Sequence, residues 1–206
     1  PMRDNRFSVV DFDGSNDYIA TNANTGLSDA TYTFWAKSTV EEKNLGVFGH
    51  GSTTTSGFHI WASDSAYFQL GDSFYRFFSF TDNLINDGVF HHFAIVADTS
   101  DISACKLYID GVETTTSTTV TTGSATSRSG LEIGRSSSAD EWEGSISQFA
   151  VYSELKDSEF ISAQYQKGIL ADYSNDTNLS AYYRMGDDTS KAYPTIADSS
   201  SNSNDG

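Results

Sequence analysis

Apolar side chains return at every second position in run after run of this chain. Tyr32, Phe34 and Ala36 alternate with Thr33, Trp35 and Lys37, and Phe58, Ile60 and Ala62 alternate with His59, Trp61 and Ser63. Further on, Phe93, Ile95 and Ala97 alternate with His92, Ala94, Val96 and Asp98; Leu107 and Ile109 alternate with Lys106, Tyr108 and Asp110; and Phe149 and Val151 alternate with Gln148 and Ala150. A strand points successive side chains to opposite faces, so a period of two puts one face inward and the other toward solvent. Asp13-Gly14, Gly71-Asp72, Asp87-Gly88 and Asp110-Gly111 punctuate the runs as turns. Many short strands at this spacing predict an all-β fold, a sandwich or a barrel. One segment departs from the pattern. Between Asp157 and Lys167, Phe160, Ile161 and Tyr165 fall at helical spacing, with Asp157 as N-cap, Glu159 in the first turn, Lys167 in the last and Gly168 as the stop. That predicts one short C-terminal helix packed on the sheets.

Composition narrows the partners. The 28 acidic residues against 12 basic ones give a formal charge of −16, which repels a phosphate backbone and an anionic bilayer surface. Nucleic acid is therefore excluded, and no stretch is long and apolar enough for membrane insertion. The charge itself serves solubility, cation binding or life in salty water. With 206 residues the chain can bury a core without covalent staples, and its single cysteine, Cys105, reads as a small buried thiol in a strand-like run. Thr114 to Ser129 is nearly all Ser, Thr and Gly, strand material up to Gly123 and loop beyond it. The start at Pro1-Met2, with no signal-peptide core after it, and the close on Asn204-Asp205-Gly206, a turn with no strand after it, lead us to expect a piece of a longer protein.

Six segments, in order, carry a resemblance. Phe12-Asp13-Gly14-Ser15-Asn16-Asp17-Tyr18-Ile19 is similar to an "FDGxxDYV" opening, and Tyr32-Thr33-Phe34-Trp35-Ala36-Lys37 to an "FTxxxWVK" strand. Asp87 to Ala94 is similar to "WHHVA", with Phe90 for tryptophan, and Leu107-Tyr108-Ile109-Asp110-Gly111 to "LYVDG". Ile133-Gly134-Arg135, Glu143 to Ile146 and Val151-Tyr152 follow "IGR…FxGxIDEVRIY", and the 155–167 helix follows "ALSxxEI". Together they resemble the laminin-G-like jelly-roll family of the concanavalin A-like lectin/glucanase superfamily. The resemblance implies a jelly-roll sandwich of two curved antiparallel sheets over residues 1–170 and a role in recognising glycans or proteins. Ile146-Ser147-Gln148 replaces the family's "IDE", so a structural calcium leaning on that aspartate would lose its ligand here. The segment 171–206, from Leu179-Ser180-Ala181-Tyr182-Tyr183 to Asp198-Ser199-Ser200, resembles the piece that usually precedes such a domain. It either adds an edge strand to this sandwich or begins a following module. Its "RMGD…DSS" wording also resembles structural proteins of marine tailed phages.

For binding, the stretch from Trp61 to Phe80 stands out. Trp61, Tyr67, Phe68, Phe74, Tyr75, Phe77, Phe78 and Phe80 exceed what one core face can take, so some lie outward, either as a recognition surface or buried against a neighbour. Trp61, Tyr67, Phe74, Tyr75 and Trp142 are the candidate ligand-binding residues. Asp13, Asn16 and Asp17 surround a glycine turn and are the candidates for calcium, the alternative being an Asx-type turn that satisfies its own backbone. His91 and His92 are adjacent and point to opposite faces, so they do not chelate one metal. Hydrolysis in this fold needs carboxylates arrayed along one strand; Glu141 and Glu143 share a face, but Gly144 ends the run without a third. The expectation is a non-enzymatic binding or adhesion module, extracellular, cell-surface or virion-borne, whose partner is a glycan or protein receptor. The alternative is a structural domain packing against neighbouring virion subunits.

Overall fold

A computed structural model describes residues 8–23, 28–41, 44–50, 56–61, 65–71, 74–80, 85–125, 130–137, 140–186, 191 and 195–206; within these, the side chains of Trp61, Thr116, Ser117, Val120 and Ser137 fall outside the description. In chain order the strands are β1 (Val10–Asp13), β2 (Ile19–Ala20), β3 (Ala30–Lys37) and β4 (Asn44–His50), then β5 (Ser56–Trp61), β6 (Ser65–Leu70) and β7 (Phe74–Ser79). Next come β8 (His91–Ala97), β9 (Lys106–Ile109), β10 (Val112–Glu113), β11 (Thr115–Thr121), β12 (Leu131–Ile133), β13 (Arg135–Ser137), β14 (Asp140–Glu141) and β15 (Glu143–Tyr152). Helix α1 (Ser158–Lys167) and β16 (Leu179–Tyr183) follow.

These strands form two antiparallel sheets stacked face to face. The back sheet runs β1-β15-β3-β8-β9-β10, and the front sheet runs β11-β7-β6-β5-β4-β12-β2. A two-stranded ribbon, β13-β14, joins the ladder of neither sheet. The turn chemistry fits the expected hairpins: Asp110 and Gly111 both take left-handed angles (φ 51° and 77°), the pair a two-residue β9–β10 connection demands. The expected alternation supplies the core. Phe34 of the back sheet lies between Phe93 and Phe149, at 5.2 and 5.4 Å between ring centres, and Tyr32 stacks on Phe48 of the front sheet at 4.6 Å. Fully burying one such ring stabilises by roughly 1.5–3 kcal/mol.

Two features go beyond the alternation. First, the back sheet is buried on both faces, not one. Its outward residues Trp35, His92, Ala94 and Tyr152 are covered by α1 and by the segment that follows it. Ile161 of α1 packs on Ala94, Val96 and Tyr108, while Tyr165 stacks on Trp35 at 5.9 Å. Polar groups here pair inside: His92 Nε2 lies 3.3 Å from Gln164 Oε1, and Gln164 in turn donates to the Tyr152 hydroxyl at 2.8 Å. The helix begins as its sequence predicts, with Asp157 accepting the Phe160 N–H at 2.8 Å, and ends at Gly168 with φ 77°.

Second, the chain's first and last strands lie end to end along one edge of β15. β1 pairs its first half, with Val10 opposite Ile146, and β16 its second half, with Phe149 opposite Tyr183. Ala181 and Tyr183 join the main core. Several hydrogen bonds tie down the segment beyond β16, four of them to one carboxylate. Asp198 accepts the N–H groups of Tyr182 (2.8 Å), Ser200 (2.9 Å) and Asn204 (2.8 Å), as well as the Ser200 hydroxyl (2.9 Å).

Candidate functional site

While the helix closes the back sheet, the front sheet turns a different surface outward. On β5, β6 and β7 the inward positions Phe58, Ile60, Ala66, Phe68, Phe74 and Phe78 are core. Register then puts His59 opposite Tyr67, Tyr67 opposite Phe77, and Gln69 opposite Tyr75 on the outer face. These side chains touch in a row: His59 stacks on Tyr67 at 4.2 Å and 10°, Tyr67 meets Phe77 at 5.3 Å, and Phe77 meets Tyr75 edge-on at 5.6 Å. Tyr67, Tyr75 and Phe77 are each half-buried, so part of every ring remains open. Rings this close together leave no gap for a ligand among them. They form a floor, not a cage.

The ribbon β13–β14 makes a wall along this floor. It lies on the outer face of β4, where Gly46 and Gly49 admit it: a Cβ at Gly46 would collide with the Asp140 carbonyl oxygen and with Ser136. The wall brings Ser136 Oγ to 2.8 Å from His59 Nδ1 and an Asp140 carboxylate oxygen to 3.5 Å from the same nitrogen. Burial pushes the His59 pKa down to about 3, so Asp140 faces a neutral ring at physiological pH. Burial, reinforced by the Asp140 charge and partly offset by a hydrogen bond with Asn44, pushes the Tyr67 phenol up to about 12, so it remains a neutral hydroxyl. The corner of floor and wall thus offers aromatic faces beside an amide, a hydroxyl and a carboxylate.

The residues expected from sequence distribute unevenly over this geometry. Tyr67 and Tyr75 lie on the floor. Phe74 does not: it points inward and is 8% exposed. Trp142 requires correction as well, because it is 1% exposed and belongs to the core at the passage from β14 to β15. Acidic neighbours on either side made it read as a surface residue, yet the chain crosses between sheets there and carries the indole inside. Trp61 stands opposite Asn44 and Ser65 on β5, with its side chain outside the described residues. His59 and the β13–β14 wall were not anticipated. Phe77 was recognised only as part of the aromatic surplus, although its spacing from Tyr75 already put the two on one face.

Asp13, Asn16 and Asp17 form a self-satisfied turn. Asp13 accepts the Ser15 N–H at 2.8 Å, Asp17 accepts the Asp13 N–H at 3.3 Å, and Asn16 takes φ 68°. With both carboxylates turned into their own backbone, the set does not fit a cation that wants six to eight oxygens. Among the described residues, no three His, Cys, Asp or Glu side chains gather as metal ligands.

Two catalytic arrangements also fail on geometry. Glu141 ends β14 and Glu143 begins β15, so the pair expected to share a face lies on different strands of different sheets. Ser136, His59 and Asp140 are the residue types of a hydrolytic triad, but the serine and the aspartate converge on one ring nitrogen, where a relay needs both. A separate open hollow of about 580 Å³ lies at the β10–β11 crossing, lined by Phe80, Ile109, Val112 and Thr114 among others. Its one charged lining residue, Glu113, is already engaged with Lys106 (3.1 Å) and the Tyr108 hydroxyl (3.2 Å). A flat aromatic floor needs no such depth to bind a flat ligand, so the floor is the stronger candidate.

Two antiparallel sheets stacked face to face, one of them closed by a helix, define a jelly-roll sandwich. The sequence profile of the family described as the Concanavalin A-like lectin/glucanases superfamily matches residues 13–162, and the chain belongs to that family. No curated protein sequence matches it. Among solved structures, a proposed carbohydrate-binding protein from Bacteroides ovatus superposes with a TM-score of 0.71 at 17% identity, over 97% of this chain and 58% of that one. The CBM40 domain of the Ruminococcus gnavus IT-sialidase, in a structure bound to α2,3 sialyllactose, superposes at 0.55 and 14% identity, covering 77% of this chain and 96% of that one. The binding domain of Paraclostridial Mosquitocidal Protein 1 gives 0.56 and 12% identity, over 78% of this chain and 46% of that one. At these identities the likeness is one of fold.

Proposed function

We propose that this chain is a non-catalytic carbohydrate-binding module acting outside the cytoplasm, with the outer face of the front sheet as its binding surface and residues 171–206 as an integral part of the domain. The observation that carries the reading is the row Tyr67–Phe77–Tyr75, held half-exposed by strand register beside the β13–β14 wall. A sugar ring has an apolar face of C–H groups and an equatorial belt of hydroxyls. Aromatic faces serve the first; Asn44 and Gln69 are suited to the second. Structural relatives that bind carbohydrate support the class of partner, and fold alone does not fix it.

The test is a broad glycan array probed with the intact chain and with Tyr67→Ala and Tyr75→Ala. Specific binding that weakens by about tenfold or more in either variant, with unfolding midpoints unchanged, is the expected result. An array without signal, together with self-association of the chain in solution, would instead favour a structural role.

A further inference from the structure

We infer that Ser136, buried in the β13–β14 wall, is a positioning residue for sugar binding: through His59 it sets the plane of the Tyr67 ring. This rests on the binding surface proposed above. The last torsion of a histidine or tyrosine side chain is broad, so strand register places His59 and Tyr67 side by side without fixing how either ring is turned. Two contacts supply what register leaves open. A ring nitrogen bonds in the plane of its ring, so the 2.8 Å hydrogen bond between Ser136 Oγ and His59 Nδ1 fixes the turn of the imidazole. Tyr67 stacks on that imidazole at 4.2 Å and 10°, which carries the same plane to the phenol ring. Asp140, 3.5 Å from the same nitrogen, approaches it from the same ribbon. Asn44 bonds the Tyr67 hydroxyl, which anchors one end of the ring and leaves its turn about the long axis to the stack.

Ser136 can act in this way because the core fixes its own place. The ribbon seats on Gly46 and Gly49, where a Cβ would collide with Ser136 itself. The feet of the ribbon are joined to each other and to the front sheet: the Trp142 N–H donates to the Gly134 carbonyl at 2.7 Å, and the Gly134 N–H to the Val47 carbonyl at 2.8 Å. The Trp142 indole lies in the core. Arg135, beside Ser136, is clamped by both oxygens of Glu132, at 2.8 and 2.9 Å. Ser136 is 2% exposed and His59 3%, so they reach a sugar only through Tyr67. A ring whose orientation is held from within keeps it before the sugar arrives, which spares the cost of ordering it on binding.

The test is a double-mutant cycle on the intact chain, comparing it with Ser136→Ala, His59→Phe and the two together. Each is titrated calorimetrically with maltotetraose, cellotetraose, laminaritetraose, mannotetraose and N-acetyllactosamine. Ser136→Ala should weaken each sugar that binds about fivefold, the factor to which about 1 kcal/mol of aromatic contact corresponds. His59→Phe keeps a ring beside Tyr67 but has no nitrogen for the serine, so in that background Ser136→Ala should leave affinity within about twofold. Tyr67 is also followed directly, by the ring-carbon resonances of labelled tyrosine, its signal identified by its loss in Tyr67→Ala. That signal should move in Ser136→Ala and stay in Ile161→Val, a control that loosens the helix side of the sandwich. Should Ser136→Ala disturb the ribbon, Ser136→Cys, which keeps the size of the side chain and weakens the bond, makes the same comparison. An equal loss of affinity in both backgrounds, or an unmoved Tyr67 signal with unchanged affinity, would overturn the positioning role; binding still lost in Tyr67→Ala would leave the surface standing. Failure of all five sugars to bind would overturn both.

Discussion

Asp198→Ala tests whether the C-terminal segment is part of the sandwich, and its cost can be worked from four hydrogen bonds. The carboxylate is 8% exposed and accepts the N–H groups of Tyr182, Ser200 and Asn204 together with the Ser200 hydroxyl. Tyr182 is fully buried in β16, so its stranded N–H costs most: roughly 2 kcal/mol for a buried donor left without a partner. The Ser200 and Asn204 groups lie nearer solvent and regain water, adding about 1 kcal/mol together for the lost charge-assisted bonds. The sum is about 3 kcal/mol, which for a domain of this size lowers Tm by roughly 6–12 °C. Urea unfolding followed by tryptophan fluorescence and by far-ultraviolet circular dichroism is the assay. Trp142 lies in the core between the two sheets, far from Asp198 in sequence, so a single shifted transition seen by both probes means the segment and the sandwich unfold together. If the fluorescence midpoint stays within about 0.5 kcal/mol of the parent, β16 and its loop are an appendage and the integral-domain reading is wrong.

Further expectations follow from buried groups. His91 holds Asp110 through Nδ1 at 2.6 Å and Asp87 through Nε2 at 3.3 Å, and the Asp110 hydrogen bond is the main cause that raises its pKa above 6.5. A raised pKa in the folded state contributes stability that is complete below 6.5 and fades as pH climbs through the raised value. His91→Gln should therefore flatten the loss of Tm between pH 6.5 and 8.5; a parallel pH profile would refute the clasp. His59 and His92, whose pKa values burial lowers to about 3 and about 4, act in the opposite sense below pH 6.5, so the comparison belongs above it. Trp142→Ala should cost about 3–5 kcal/mol by emptying a core site, while Tyr75→Ala on the floor should stay within about 1 kcal/mol. Equal losses in the two variants, read by chemical denaturation, would contradict their assigned sides of the sheet.

How much of this the sequence discloses depends on how local the cause is. Strand alternation and the Asp110-Gly111 hairpin follow from backbone geometry, and the helix cap at Asp157 from a side chain three residues from its partner, so these are legible residue by residue. The double burial of the back sheet is not. Thr33, Trp35, His92 and Ala94 are mixed polar and apolar, the profile of a solvated face; only the return of α1 and the chain after it makes them a second core. Trp142 fails for the same reason, since its burial comes from a passage between sheets and not from its acidic neighbours. The place of 171–206 was open because a strand signature at Leu179–Tyr183 says nothing about which edge it meets.

The proposed binding surface was half legible, and the missing half is instructive. Counting aromatics between Trp61 and Phe80 shows that one core face cannot hold them all, which is an argument from quantity. Which rings go outward is decided by parity: β6 sends Phe68 inward and Tyr67 outward, and β7 sends Phe74 and Phe78 inward and Tyr75 and Phe77 outward. The wall could not be inferred at all, because it depends on Gly46 and Gly49 admitting a ribbon some ninety residues later in the chain. Yet the two glycines and the helix act as complements. The helix and the chain after it cover the outer face of the back sheet around Trp35, His92 and Ala94, while among the described residues the ribbon covers the β4 side of the front sheet and leaves the β6–β7 rings half-exposed. The proposed binding surface is thus the broad face that the helix does not cover, and strand register furnishes it with rings.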